Sequence, residues 1–221
     1  MDQFFPVLES CPLFHGIDSN DLTIMLPCLG ARVSSYQKNE MIFREGDPPK
    51  DMGIVLSGAA QIVREDFYGN RSIVARMGPA ELFGESFACA GVPTLPVSVT
   101  AAEDCSVFLI DCRRITVSCN NACSFHNRMI YNLLQVVATK NLMFNQKIEI
   151  TSHRTTREKL MAYLLLQAKQ QNKTSFTIPY DRQALADYLC VDRSAMSVEI
   201  SKLRKDGIIA CEKNHFELLQ R

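Results

Sequence analysis

At 221 residues, 47% hydrophobic and 22% charged, the chain has the composition of an ordinary globular protein with room for one large or two modest cores. Formal net charge is zero, and no window holds the ~18 consecutive apolar residues of a membrane span. The opening MDQFFPVLES has neither the basic region nor the apolar run of a signal peptide, so a cytoplasmic protein without membrane contact is expected. Nine cysteines in such a setting read as mainly reduced thiols, and their odd number argues against a complete disulfide framework.

The first stretch, ESCPLFHGIDSNDLTIMLPCL, is helical in pattern, and the chain then becomes β-rich. The runs MIFREGD, MGIVLSGAAQIVRED, RSIVARM and VSVTAAEDCSVFLID are separated by turn signals at Gly46-Asp47-Pro48-Pro49, Gly69-Asn70 and Gly78-Pro79. Strands recurring every ~8–12 residues predict a small antiparallel barrel or roll, with Phe67 to Arg71 as a hairpin tip. Helix returns at Arg113 to Cys119 and breaks at Asn120-Asn121. A long helix then carries Ile130, Leu134, Val137, Asn141, Phe144 and Ile148 in alternating steps of four and three, a heptad seam. A polar Asn141 inside such a seam commonly fixes register and two-strandedness at some cost in stability, although a helix of this pattern could equally pack only on the chain's own sensor domain. Thr151-Ser152 offers caps for a following helix from Arg154 to Gln171, with Leu160, Leu164 and Ala168 facing inward, and QQNKTSF reads as a loop.

The last segment is the most informative. Asp181 can cap a helix that buries Leu185 and Leu189, with Ala184 beside them; Cys190-Val191-Asp192 interrupts it, and Asp192 can cap a second helix with Met196, Ile200 and Leu203 on one face. The other face holds Arg193, Ser194, Ser197, Lys202, Arg204 and Lys205 against a single acid, Glu199. A helix buried on one side and cationic on the other suits a major-groove reader. Gly207 closes it, and IIACEKNHFELL alternates as a two-stranded wing. From Thr151 onward the chain has 12 Lys and Arg against 8 Asp and Glu, and the first 150 residues have 12 against 16. The neutral total therefore hides a basic tail, and screening over about 8–10 Å makes that local charge the relevant one for phosphates.

RQALADYLCVDRSAMSVEISKLRKDGII resembles the winged helix-turn-helix of the Crp/Fnr transcription regulators, and EGDPPKDMGIVLSGAAQIV resembles their double-stranded β-roll. The resemblance implies an α+β chain: a sensor roll over 1–120, a long dimerisation helix over 121–150 and a winged helix-turn-helix over 151–221. It implies a homodimer on a palindromic operator in double-stranded DNA, with RNA polymerase as a further partner and the seam residues as the dimer interface. Arg193 is then the base reader, Ser194 and Ser197 contact bases or phosphates, and Arg182, Gln183 and Lys202 anchor the backbone. Val198 stands where the family usually has a second arginine, which points to a different half-site.

The family's cyclic-nucleotide cassette combines Gly-Glu with an Arg-Ser pair that holds the cyclic phosphate. Here Gly84-Glu85 is present, but Leu95-Pro96 stands at the Arg-Ser positions. Charge, hydroxyl and one backbone donor are lost together, and a buried unpaired phosphate would cost several kcal/mol. Cyclic AMP and cyclic GMP are therefore excluded as expected ligands. Phe83, Phe87, Leu95, Val97 and Val99 suit either an unknown apolar effector or a packed core. Cys11 and Cys28 lack the CxxC pattern of the iron–sulfur members. Cys119, Cys123 and His126 have one-face spacing on a continuous helix but supply only three ligands across an expected break, so no metal or other cofactor is expected. A thiol switch stays open as an alternative signal, and a winged-helix protein-interaction module with weak or no DNA binding stays open as an alternative function. No nucleophile elbow, P-loop or HExxH occurs, so an enzyme is not expected.

Overall fold

The computed structural model describes residues 4–116 and 124–219. Cys119, Cys123 and the Asn120-Asn121 break lie outside them. The chain forms two compact units, one of residues 1–69 and 74–141, the other of residues 70–73 and 142–221.

In the first unit, Pro6 sits in the first turn of α1 (Phe5–Ser10) and Pro12 opens a 3-10 turn (Pro12–Phe14). The Asp18 carboxylate accepts from the Asp21 N–H at 2.9 Å to start α2 (Ser19–Met25). Two four-stranded sheets follow. One has the order β1-β8-β3-β6, from Arg32–Tyr36, Cys105–Asp111, Asp51–Ser57 and Leu82–Phe83. The other is β2-β7-β4-β5, from Met41–Phe43, Ser98–Ala101, Ala60–Glu65 and Arg71–Met77. All registered pairings are antiparallel, as the roll expectation requires.

Strands β3 and β8 are buried on both faces, which explains why their sequences run apolar instead of alternating. Met52, Ile54, Leu56, Phe108 and Ile110 face the helical layer, packing with Leu13, Leu22, Leu29, Met129 and Leu133. Val55, Val107 and Leu109 point the other way, into a core shared with Ile62, Phe83, Val97 and Val99. Two glycines are dictated by contact. A Cβ on Gly53 would sit 2.1 Å from the Phe83 ring, and one on Gly58 (φ +70°) would sit 2.1 Å from the Asp104 carbonyl oxygen. Strand β1 falls outside the runs read as β in the sequence, because its burial alternates only weakly.

Helix α3 (Glu85–Ala90) follows β6, and the short α4 (Arg113–Thr116) follows β8. The long α5 spans Ser124–Ser152, 29 residues. Its buried Asn132 donates to the Leu13 and His15 carbonyls at 2.9 and 2.8 Å, fixing it to the N-terminal turn.

In the second unit, α6 (Thr156–Gln171) begins at Thr155, whose hydroxyl accepts from the Glu158 N–H while the Glu158 carboxylate accepts from the Thr155 N–H. This corrects the expected start at Arg154 under a Thr151-Ser152 cap: α5 runs through both residues, and their hydroxyls donate back to its own carbonyls. A second correction concerns QQNKTSF. Ser175–Thr177 is a strand, β9, pairing with β11 (His215–Leu218), which pairs with β10 (Ile209–Glu212). The wing is thus three-stranded. Helices α7 (Arg182–Leu189) and α8 (Arg193–Lys205) carry the expected caps, with Asp181 accepting from the Ala184 N–H and Asp192 from the Ala195 N–H, each at 2.8 Å. Leu185, Leu189, Met196, Ile200, Leu203 and Phe216 form the core, and Tyr163, Tyr180 and Tyr188 cluster with centroids 5.0–6.4 Å apart. Among the described residues, no helix is long and apolar enough to cross a membrane.

Candidate functional site

The turn between α7 and α8 is made by Cys190 at φ +53° and by the Asp192 cap, and it sets α8 with its buried stripe inward and its cations outward. Arg193 is exposed at the first turn, and among the described residues no hydrogen bond or ion pair engages its guanidinium. Ser194 donates to the Asp192 carboxylate at 2.5 Å, and Ser197 donates to the Arg193 carbonyl at 2.9 Å. Both hydroxyls keep acceptor capacity toward solvent. Lys202 forms a 2.7 Å ion pair with Glu199 but remains largely exposed. Val198 is 53% exposed. With Ser197, Ser201, Lys202 and Lys205 it lines an open concavity of about 390 Å³ on the outer face of the helix.

The two residues that open α7 behave differently from each other. Gln183 is exposed and donates to Asp187 at 2.8 Å. Arg182 turns toward the wing: its guanidinium lies over the Phe216 ring at 5.0 Å and donates to the Cys211 sulfur at 3.3 Å, and its Nη1 is buried without a partner. The family resemblance made Arg182, like Gln183, a backbone anchor, and the wing aromatic that captures it had no local signal.

In the sensor unit, Gly84 at φ +81° lets the chain leave β6 and open α3. Phe83, Val97 and Val99 belong to the packed core between the sheets, with Phe87 against it. Leu95 is buried and exchanges backbone hydrogen bonds with Gly46 and Asp47 at 2.9 and 2.8 Å, while Pro96 is exposed. Glu85 is 2% exposed. Its Oε1 pairs with the Lys140 ammonium of α5 at 2.9 Å, and its Oε2 has no hydrogen-bond partner. Lys140 also donates to the Leu82 carbonyl at 2.5 Å. No cation lies near Glu85 in the local sequence; this one comes from a distant helix, and sequence reasoning missed it.

Along α5, Leu134 and Ile148 are 65% and 63% exposed, Ile130 and Asn141 are also exposed, and Val137 and Phe144 are half-buried. Ile130, Leu134, Asn141 and Ile148 therefore face outward, whereas Val137 packs against the sensor core beside Met129, Leu133 and Val136. Of the earlier metal candidates, His126 is buried with its Nε2 2.9 Å from the Arg114 carbonyl. Burial pushes the Cys11 thiol up to about 12 and leaves it inert at neutral pH.

The cyclic nucleotide-binding domain family matches residues 33–116, and the Crp-like helix-turn-helix domain family matches residues 158–221. The transcriptional activator protein FnrL of Cereibacter sphaeroides is 24% identical, the alignment covering 93% of this chain and 85% of that one. The cyclic AMP receptor protein of Thermus thermophilus is 23% identical over 91% of this chain and 89% of its own. In structure, the c-di-GMP-responsive global regulator CLP of Xanthomonas campestris superposes with a TM-score of 0.75 at 19% identity, covering 92% of this chain and all of that one.

Proposed function

The chain belongs to the Crp/Fnr family of transcription regulators, and from this premise we propose a homodimeric DNA-binding regulator, not an enzyme, whose roll answers a signal other than cyclic AMP or cyclic GMP. The observation that carries DNA recognition is the exposed cationic face of α8 with Arg193 unengaged at its start. A guanidinium so placed can give two hydrogen bonds to guanine O6 and N7, worth about 1–3 kcal/mol of discrimination. Ser194, Ser197 and Gln183 supply bases or phosphates with polar contacts, and Lys202 supplies charge to the backbone. Arg182 acts through the wing that it braces. Val198 presents methyl groups in place of a second cation and suits a thymine methyl in the groove.

The outward residues Ile130, Leu134, Asn141 and Ile148, with the half-buried Val137 and Phe144 along the same seam, supply the surface of a two-stranded helix pair. Two-fold related α8 helices then enter major grooves about 34 Å apart and read a palindrome. RNA polymerase is the partner through which binding acts on transcription. Against a cyclic nucleotide stand Leu95-Pro96 in place of a cation and hydroxyl, the packing of Phe83, Val97 and Val99 into core, and the ion pair that joins Lys140 to Glu85.

Fluorescence anisotropy against a duplex from the chain's own upstream region, titrated over salt, tests the reading. Saturable binding should weaken steeply with salt, and Arg193→Ala should lose roughly 5- to 150-fold in affinity. No binding to that duplex, and none to a library of random duplexes even at low salt, would refute it and favour a protein-interaction module.

A further inference from the structure

The sensor unit contains a thiol pair that the reading above does not use. Cys89 is exposed at the end of α3, and Cys112 is buried just beyond β8; their sulfurs lie 3.4 Å apart. At that distance either thiol can donate to the other, and donation from Cys112, the buried member, makes the Cys89 sulfur the acceptor. This holds Cys89 below the ordinary thiol range, at about 7, against the opposing effects of burial and the Glu85 charge. The same hydrogen bond, with burial, pushes Cys112 upward. One sulfur is thus an accessible nucleophile at neutral pH, and its neighbour is a protonated thiol within reach. The remaining described cysteines do not reproduce this pairing: Cys11 and Cys105 are buried, and Cys28, Cys190 and Cys211 make contacts to backbone carbonyls or to Arg182.

We propose that Cys89 and Cys112 form a dithiol site that a hydroperoxide oxidises to a disulfide, and that this closure is the signal received by the roll. The Cys89 thiolate attacks the terminal peroxide oxygen, the O–O bond breaks, and the departing alkoxide takes a proton to leave as an alcohol, or as water from hydrogen peroxide. Cys89 becomes a sulfenic acid. The Cys112 sulfur then attacks the Cys89 sulfur, the S–O bond breaks, and the hydroxide leaves with the Cys112 proton as water. Two thiols lose two electrons and two protons, and the peroxide is reduced by the same two electrons.

Closure requires the sulfurs to approach by about 1.4 Å to reach the ~2.05 Å of a bond. The far end of the element that carries Cys89 has room to shift, while its near end is held against Phe43. Helix α3 is bounded by Gly84 and Gly91, both left-handed, and nothing stands within 4 Å of a Cβ built on Gly91. The same short helix carries Glu85 in its first turn, so drawing its far end toward β8 acts on the Glu85–Lys140 pair and through it on α5. This regulatory consequence rests on the reading of the chain as a DNA-binding regulator; the thiol chemistry does not.

The test uses the reduced full chain, titrated with hydrogen peroxide and with tert-butyl hydroperoxide, then mapped by differential alkylation and peptide mass spectrometry. The expected result is loss of two titratable thiols per chain and a linked peptide joining Cys89 to Cys112. Cys89→Ser, an exposed change that spares the fold, should abolish both. Cys112→Ser should leave a sulfenic acid at Cys89 that dimedone traps. Anisotropy of the oxidised protein should show a several-fold change in duplex affinity, reversed by dithiothreitol and missing in Cys89→Ser. Retention of both thiols, linkage through another cysteine, or unchanged affinity with the disulfide complete would overturn the proposal. Formation of the linked peptide in a protein that binds no duplex in either state would uphold the dithiol chemistry and sink the regulator reading instead.

Discussion

Replacing Lys140 by methionine keeps most of the side-chain stem and removes only the ammonium. In the native protein the Glu85 Oε1 accepts from Lys140 at 2.9 Å and from the Ser86 hydroxyl at 3.1 Å, and Oε2 accepts from nothing. Lys140→Met would therefore leave a carboxylate, 2% exposed, held by one hydroxyl. Breaking a buried pair from one side costs about 3–5 kcal/mol. Lys140 retains 21% side-chain exposure, which places the loss near the lower end, about 3 kcal/mol. Glu85→Gln removes the charge instead and leaves a neutral amide; its cost should be about 1–2 kcal/mol, the range for an unsatisfied polar group. The double variant keeps only that smaller defect, so the pair should show a coupling of about 2–3 kcal/mol, where independent sites would show none.

Differential scanning calorimetry under reducing conditions reads this directly. A domain of this size moves by about 3 °C per kcal/mol, so Lys140→Met should lower the sensor transition by roughly 9 °C and the double variant by about half as much. The winged-helix transition should stay where it is. A drop below about 3 °C for Lys140→Met, or additive losses in the double variant, would refute the view that this pair compensates a buried charge.

Gly58→Ala should cost more than about 2 kcal/mol, because a left-handed φ is combined with a methyl 2.1 Å from a backbone oxygen. Gly46→Ala, also left-handed but with nothing within 4 Å, should cost only about 1–2 kcal/mol, and chemical denaturation compares the two. Leu134→Glu should convert dimer to monomer in sedimentation velocity without changing far-UV circular dichroism, because the side chain stands on the outward stripe of α5. Burial pulls Lys147 down to about 8 although it lies over the Tyr188 ring at 4.2 Å. The folded state therefore disfavours its charge: the penalty is full below pH 8 and disappears as pH rises toward the ordinary value of about 10.4. Stability of the winged-helix unit should rise across that window relative to Lys147→Met, with a maximal slope of about 1.4 kcal/mol per pH unit, and a flat difference would count against it.

Much of this architecture was legible because local signals agreed with one another. Asp181 and Asp192 each precede an apolar stripe, and both cap as read. The β-roll announced itself through turn residues, although β3 and β8, buried on both faces, gave no alternation to reveal which way their side chains point. Thr155 was legible in principle, since Thr-x-x-Glu is a capping box, but Thr151, Ser152 and Thr155 compete within a few residues and only the geometry chooses. Strand β9 has three residues and borrows its structure from β11, so no periodicity could show it. Lys140 beside Glu85, Arg182 over Phe216 and Cys89 beside Cys112 share one cause of invisibility. Each joins residues far apart in the chain, and neither member carries a local pattern that names the other.

The tyrosine cluster gives the molecule a built-in optical asymmetry. The chain has six tyrosines and no tryptophan, and three of the six, Tyr163, Tyr180 and Tyr188, are stacked or tilted against one another around the base of α7. Rings held this close couple their near-ultraviolet transitions and exchange excitation, whereas Tyr68 and Tyr131 stand exposed elsewhere. Near-ultraviolet dichroism and tyrosine emission from the unlabelled chain will thus be weighted toward the helix-turn-helix end. A change in tyrosine emission on adding DNA is therefore weighted toward the winged helix and needs no dye.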